Sequence, residues 1–223
     1  MKILGVDTSS SFLSIALSKD RDVMIEENTL LDKRHSSMLV PNIKSMLEKI
    51  GLSISDVDGY VVGLGPGSFT GLRIGVSTIK GFLVGTKKVC LGMPSIDAIA
   101  MNADHGSLIV PIIDAKRSNV YSAIYERKKG GIIRKSGYLL LGIDELSKKV
   151  KKDAVFLGDG VKLYKDRIQE LNKKALFLGE EYWYPRASNL IRLAVSKKSN
   201  FKKKSLVNLD PIYLYPRYCQ IKR

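Results

Sequence analysis

Three sets of residues in this 223-residue chain are of types that can do chemistry. Asp7-Thr8-Ser9 follows a buried-looking apolar run and sets a carboxylate beside two hydroxyls. Such a set can hold a hydrated Mg²⁺ and the phosphates of a nucleotide. It can also form a turn whose Asp and Thr side chains bind local backbone N–H groups. The second segment, Gly63-Leu64-Gly65-Pro66-Gly67-Ser68-Phe69-Thr70-Gly71, offers backbone amides near Gly65, Gly67 and Ser68 just before a predicted helix. Amides and hydroxyls at a helix N-terminus can hold an anion. The competing reading is a tight strand-to-helix connection that packs its glycines closely. The third set pairs Asp114, at the end of an apolar strand, with Gly158-Asp159-Gly160. Gly158 and Gly160 would admit a ribose or base against the backbone, or simply make a strand-to-helix turn.

The known phosphate fingerprints do not fit. Five residues after Gly65 stands Thr70 and no lysine follows, which excludes a P-loop, and the same threonine breaks GxGxxG. The two histidines, His35 and His105, have no partner at metal-binding spacing: four residues after His35 comes Leu39. No transition metal is expected. There is no GxSxG elbow for serine hydrolysis. Cys90 and Cys219 flank no second ligand and read as structural. Tyr182-Trp183-Tyr184 could stack on a base or anchor a loop.

Those segments need elements to position them. Residues 2 to 7, 12 to 17 and 23 to 30 read as three strands joined by polar turns, a meander rather than a Rossmann start. Leu39, Ile43, Met46, Leu47 and Ile50 form one face of a helix. A short strand at 60–62 leads into the glycine loop, and a helix from about Gly71 to Val84 follows. Leu108–Ile113 opens a second, similar series: a strand across 120–125, another near 132–141, a short one at 154–157, and helices over 143–150, 161–171 and 188–197. Each half begins with an apolar strand ending in Asp, so the fold class is α/β with two related lobes, divided as 1–106 and 107–223.

Charge separates the halves. Up to Val110 there are 11 basic and 11 acidic residues; from Pro111 onward there are 26 and 11, which accounts for the whole formal charge of +15. A basic half suits a polyanion such as RNA, or it is a solvated lysine surface. Lys197, Lys198, Lys202, Lys203 and Lys204 form its densest cluster. No run approaches the roughly 18 apolar residues of a membrane helix, and the N-terminus lacks a secretory core. A cytoplasmic protein is expected.

Several of these segments together resemble one family. Val6-Asp7-Thr8-Ser9, His35-Ser36, the run from Gly65 to Gly75, Ile113-Asp114-Ala115-Lys116-Arg117 and Pro211-Ile212-Tyr213-Leu214 occur in order, as in the TsaB (YeaZ) family. The resemblance implies the two-lobed actin/sugar-kinase/Hsp70-like (ASKHA) fold. It implies a non-catalytic partner of a TsaD-type subunit, with a TsaE-type ATPase, in making N6-threonylcarbamoyladenosine at position 37 of ANN-decoding tRNAs. TsaD-type members carry His-x-x-x-His where this chain has His35 and Leu39, which favours TsaB. The family pairs, with TsaD or with itself as a homodimer, through N-lobe helices; here Leu39, Ile43, Met46, Gly71 and Gly75 are the interface candidates. No cofactor of its own is expected, though ATP or ADP with Mg²⁺ can bind at an interface shared with the partner. The alternative from another class is an ASKHA-type ATPase or small-molecule kinase using Asp7; a third is a plain RNA-binding module.

Overall fold

The first strand is apolar on both faces, so one sheet surface cannot satisfy it and two layers of helix must cover it. The computed structural model describes residues 1–31, 35–150, 153–196 and 209–215, and divides them into two units. In the first unit β1 (Lys2–Asp7), β2 (Phe12–Lys19) and β3 (Asp22–Leu30) form the expected antiparallel meander. Helix α1 (His35–Glu48) leads to β4 (Gly59–Gly63), which joins β1 in parallel; α2 (Phe69–Thr86) leads to β5 (Val89–Met93), parallel to β4. The sheet order is β3-β2-β1-β4-β5. Helix α3 (Ser95–Ala100) follows β5 directly.

Side-chain alternation sorts the core into two layers. Leu4, Val6, Ile15, Tyr60 and Val62 pack with Leu39, Ile43 and Met46 of α1 and Val76, Ile79 and Leu83 of α2. Ile3, Ala16, Val61 and Leu91 point the other way, onto a helix from far along the chain.

The second unit holds β6 (Leu108–Lys116), β7 (Asn119–Ser122), β8 (Tyr125–Lys128), β9 (Gly131–Arg134), β10 (Leu139–Gly142), α4 (Ile143–Lys149), β11 (Ala154–Leu157), α5 (Val161–Leu171) and β12 (Leu176–Phe177). Its main path is β10-β7-β6-β11-β12. The strand expected over 120–125 is two strands: β7 pairs with Ile112–Lys116 of β6, whereas β8 pairs with Leu108 and Ile109. The strand near 132–141 likewise divides, β9 pairing with β8 and β10 with β7. Trp183 is a loop anchor rather than a stacking platform. It is 8% exposed, and its indole N–H donates to the Leu178 carbonyl at 2.9 Å.

The helix that covers the second face of the first sheet is α6 (Ala187–Ser196). Its residues Ala187, Leu190, Ile191 and Ala194 are buried against Ile3, Ala16 and Val61. Gly5 allows the approach: a Cβ there would lie 2.8 Å from the Ala187 carbonyl oxygen and 2.9 Å from Ile191. Ser14 Oγ accepts from the Ala187 N–H at 2.7 Å, and Glu26 accepts from both the N–H and the hydroxyl of Ser188. A division at 106/107 therefore does not describe this chain. Among the described residues, Pro185–Ser196 and Leu209–Ile212 group with Met1–Ala98, and Ile99–Tyr184 form the second unit with Tyr213–Tyr215. An amphipathic helix shows that it covers something; only tertiary packing shows which sheet.

Candidate functional site

In the first unit the structure brings together Asp7, Thr8, Ser9, Gly65, Gly67 and Ser68. Asp7 ends β1 with no exposed surface. Its Oδ1 accepts from the Ser9 N–H at 2.8 Å and the Ser9 hydroxyl at 2.6 Å. Its Oδ2 accepts from the Ser95 hydroxyl at 2.6 Å. Ser95 Oγ in turn accepts from the Gly65 N–H at 3.0 Å, and the Ser95 N–H donates to the Gly65 carbonyl at 2.8 Å. Thr8 Oγ1 donates to the Gly71 carbonyl at 2.7 Å, and the Ser68 N–H donates to the Ser9 carbonyl at 2.7 Å. Ser68 caps α2 by accepting from the Gly71 N–H. The carboxylate turn and the glycine loop are thus bound to each other.

The glycines explain why the loop needs no side chains. A Cβ on Gly63 would lie 2.0 Å from Asp7 Oδ2, on Gly67 2.3 Å from the Ser9 carbonyl oxygen, and on Gly71 2.0 Å from that of Thr8. In a phosphate cradle, absent side chains leave room for a ligand. Here the space is filled by Asp7, Thr8 and Ser9. The arrangement does not fit a metal-bound phosphate at Asp7; it is a self-satisfied strand-to-helix clasp. Ser95 is the member that motif reading passes over. It stands just past a five-residue strand after Pro94, with no recognisable pattern around it.

In the second unit Asp114, Gly158 and Gly160 also meet. Asp159 Oδ1 accepts from the Asp114 N–H at 3.0 Å, and the Gly160 N–H donates to the Ile112 carbonyl at 3.0 Å. Asp114 holds Lys116 through both its N–H and its ammonium. Burial pushes the Asp159 carboxyl above the usual carboxylate range, and the nearby Asp114 charge adds to the rise. Lys116, Arg117 and Ser118 all take positive φ in the turn between β6 and β7. The Tyr215 hydroxyl donates to the Ala115 and Lys116 carbonyls, bracing that turn. Gly158 and Gly160 each face the Ile112 backbone, so they make the close turn and leave no room for a base on that side.

The interface candidates need correction. Leu39, Ile43 and Met46 are at most 1% exposed and lie in the core of the first unit. Gly71 and Gly75 face Thr8, whose Oγ1 would be 2.4 Å from a Cβ on Gly75. The apolar stripe and the first glycines of α2 face inward because β1 and β4 supply the surface they cover. The outer faces carry other residues: Met38, Val40 and Lys44 on α1, and Phe69, Arg73, Gly81 and Val84 on α2, with Val84 82% exposed. Arg73 lies over the Phe69 ring at 3.8 Å. The five lysines at 197, 198, 202, 203 and 204 lie outside the described residues, as do the His35 side chain and Cys219. Cys90 is buried. Among the described residues no group of three His, Cys, Asp or Glu could hold a metal ion, and no helix is long and apolar enough to cross a membrane.

Residues 28–222 match the family model described as TsaD: tRNA N6-adenosine threonylcarbamoyltransferase. The chain is 33% identical over 204 residues to the tRNA threonylcarbamoyladenosine biosynthesis protein TsaB of Bacillus subtilis, covering 89% of each. It is 27% identical over 222 residues to TsaB of Escherichia coli, covering 96% of this chain and 94% of that one. Among solved structures it superposes on YeaZ from Pseudomonas aeruginosa with a TM-score of 0.80 at 23% identity, over 96% of this chain and 99% of that one. The activator of 2-hydroxyisocaproyl-CoA dehydratase from Clostridium difficile superposes at 0.50 with 11% identity, covering 92% and 99%. These superpositions speak to the fold, which is the two-lobed ASKHA architecture. The match across nearly the whole chain assigns it to the TsaD family and, within that family, shows that it belongs to the TsaB (YeaZ) branch.

Proposed function

We propose that this chain is a non-catalytic subunit that pairs with a TsaD-type transferase to form N6-threonylcarbamoyladenosine at position 37 of ANN-decoding tRNAs in the cytoplasm, with a TsaE-type ATPase completing the assembly. The observation that carries this reading is the 33% identity to a TsaB protein across 89% of the chain. The clasp around Asp7 supports the non-catalytic part. Its carboxylate is buried and takes hydrogen bonds from Ser9 and Ser95, so it is poorly placed to serve as a base or metal ligand. ATP or ADP with Mg²⁺ then acts at a surface completed by the partner. That partner, or a second copy of this chain, docks on the outer faces of α1 and α2, where Val40 and Val84 are exposed and nothing lies within 4 Å of a Cβ on Gly81.

The test is reconstitution. TsaD-type and TsaE-type subunits are incubated with tRNA, ATP and a pre-formed activated threonylcarbamoyl donor, with and without this chain, and the modified nucleoside is measured by mass spectrometry. Modification is expected only when the chain is present. Equal yield without it removes the proposal, and strong ATP turnover by the chain alone replaces it with the kinase reading. Val84→Lys should leave the melting temperature unchanged and weaken co-elution with the TsaD-type subunit.

A further inference from the structure

The second unit is basic by sequence, but its charge is unevenly spread. Its described residues include fourteen Lys and Arg against eleven Asp and Glu. The β8–β9 hairpin with its flank, residues 125–138, holds five of those bases and one acid. Its net of +4 exceeds the +3 of the whole described unit, so the remainder of the unit is slightly acidic. Of the five cations on α4 and α5, Arg167 pairs with Asp144 and Glu170, Lys149 with Glu145, and Lys165 lies over the Phe177 ring; beyond α5, Lys174 pairs with Asp153.

The hairpin is also held so as to present its charge. The Arg127 guanidinium donates to the Ala103 carbonyl at 2.7 Å and the Gly106 carbonyl at 3.2 Å, tying the ribbon to the preceding loop. That leaves Lys128, Lys129, Arg134 and Lys135 directed at solvent, all exposed. Glu126 sits opposite Ile133 and holds Lys128 at 2.7 Å and Lys135 at 3.4 Å, so one carboxylate fixes two ammonium groups on one face of the ribbon. Arg134, one residue from Lys135 and so on the other face, lies over the Tyr138 ring at 4.0 Å. Lys129 stands at the tip, before two glycines with positive φ.

We infer that the β8–β9 hairpin is an RNA-binding element that grips the phosphate backbone of tRNA through Lys128, Lys129, Arg134 and Lys135. It rests on the proposed role in tRNA modification. Cations on both faces of a narrow ribbon match a polyanion that passes around it, and a stacked arginine–tyrosine pair offers an unpaired base a planar surface. An acidic protein would gain nothing from that stack. An anionic membrane would need more apolar surface than Ile133 provides.

The experiment measures binding of a tRNA transcript to the purified chain by fluorescence anisotropy between 50 and 300 mM KCl. Four proteins are compared: the unaltered chain, the hairpin variant K128Q/K129Q/R134Q/K135Q, the control K162Q/K165Q/K173Q/K174Q, and Glu126→Gln. Each phosphate contact adds about 0.7–0.9 to the slope of log affinity against log salt. The hairpin variant should therefore lose about 3 units of slope and at least tenfold in affinity at 100 mM salt, while the control keeps the original slope. Glu126→Gln should bind more tightly. Tyr138→Ala should lose about fivefold or more in affinity with little change of slope. An unchanged slope in the hairpin variant, an equal loss in the control, or no binding by the unaltered chain overturns the inference. Hairpin-dependent capture of phosphatidylglycerol vesicles or poly-glutamate in preference to tRNA also overturns it. Co-elution with the TsaD-type subunit and the reconstituted modification are measured separately. Their loss would remove the proposed function and leave the RNA-binding result to stand or fall on its own data.

Discussion

Replacing Ser95 with alanine removes one oxygen and reports on whether the clasp around Asp7 is as tightly bound as its geometry implies. Ser95 has no exposed surface, its hydroxyl donates to Asp7 Oδ2 at 2.6 Å, and its Oγ accepts from the Gly65 N–H at 3.0 Å. A hydrogen bond to a charged acceptor contributes about 1.5–3 kcal/mol, and an N–H left buried without an acceptor costs a further 1–3 kcal/mol or so. Ser95→Ala should therefore lose roughly 3 kcal/mol or more, with little contribution from the small change in volume. For a chain of this length that is a fall of about 6–12 °C in melting temperature. Trp183, the one tryptophan, lies in the second unit, so its fluorescence is a poor probe of the change. Calorimetry combined with hydrogen exchange of peptides spanning 2–7 and 59–72 reports on the right unit. Exposed Ser77 supplies the control, Ser77→Ala, expected to move the transition by less than about 2 °C. If Ser95→Ala melts with that control and its β1 and β4 amides stay equally protected, the claim that Ser95 holds the carboxylate is wrong.

Three further outcomes follow from the same geometry. Gly63→Ala places a methyl 2.0 Å from Asp7 Oδ2 and should cost about 1–3 kcal/mol or more in urea unfolding, whereas Gly81→Ala on the open face of α2 should gain about 0.5–1 kcal/mol; the reverse order would refute the packing assignment. The Asp159 carboxyl is raised by burial, so folding takes up protons there, and the stability it withholds grows as pH climbs from the ordinary 3.8 through the raised folded value. Asp159→Asn, which keeps an acceptor for the Asp114 N–H, should gain in stability relative to the unaltered chain between pH 3.5 and pH 7; a difference independent of pH would contradict this. Burial pushes the Cys90 thiol up to about 12, so maleimide at pH 7.5 should label its peptide only after unfolding, as mass spectrometry would read, and rapid labelling of the folded chain would show the site to be open.

The local elements were legible because each depends on a few neighbouring residues. The apolar runs over residues 2–7 and 12–17, the Leu39-Ile43-Met46 stripe and the strand-to-helix step at Gly158-Asp159-Gly160 set β1, β2, α1 and α5. The two splits, of 119–128 and 131–142, were not legible, because an apolar alternating run looks the same whether it follows one neighbour or changes neighbours midway. Residues 89–100 carry no local signal of their own: β5 has five residues, α3 has six, and neither has a periodic pattern long enough to register.

The candidate site divides the same way. By itself the sequence determined which segments mattered, since an Asp-Thr-Ser turn, a glycine-rich loop and a family-specific order of motifs are all local facts. Tertiary structure decided what those residues do. The glycines of the loop face Thr8 and Ser9 instead of a ligand, Ser95 reaches Asp7 from eighty-eight positions away, and α6 returns to cover Gly5 of the first strand. The interface stripe was reversed for the same reason: periodicity shows that a helix has an apolar face but not what covers it. Leu39, Ile43 and Met46 lie under their own sheet, while Val84 is left in solvent. Spacing along the chain determines which side chains share a face, but the partner of that face is chosen by contacts between segments whose separation no local pattern records.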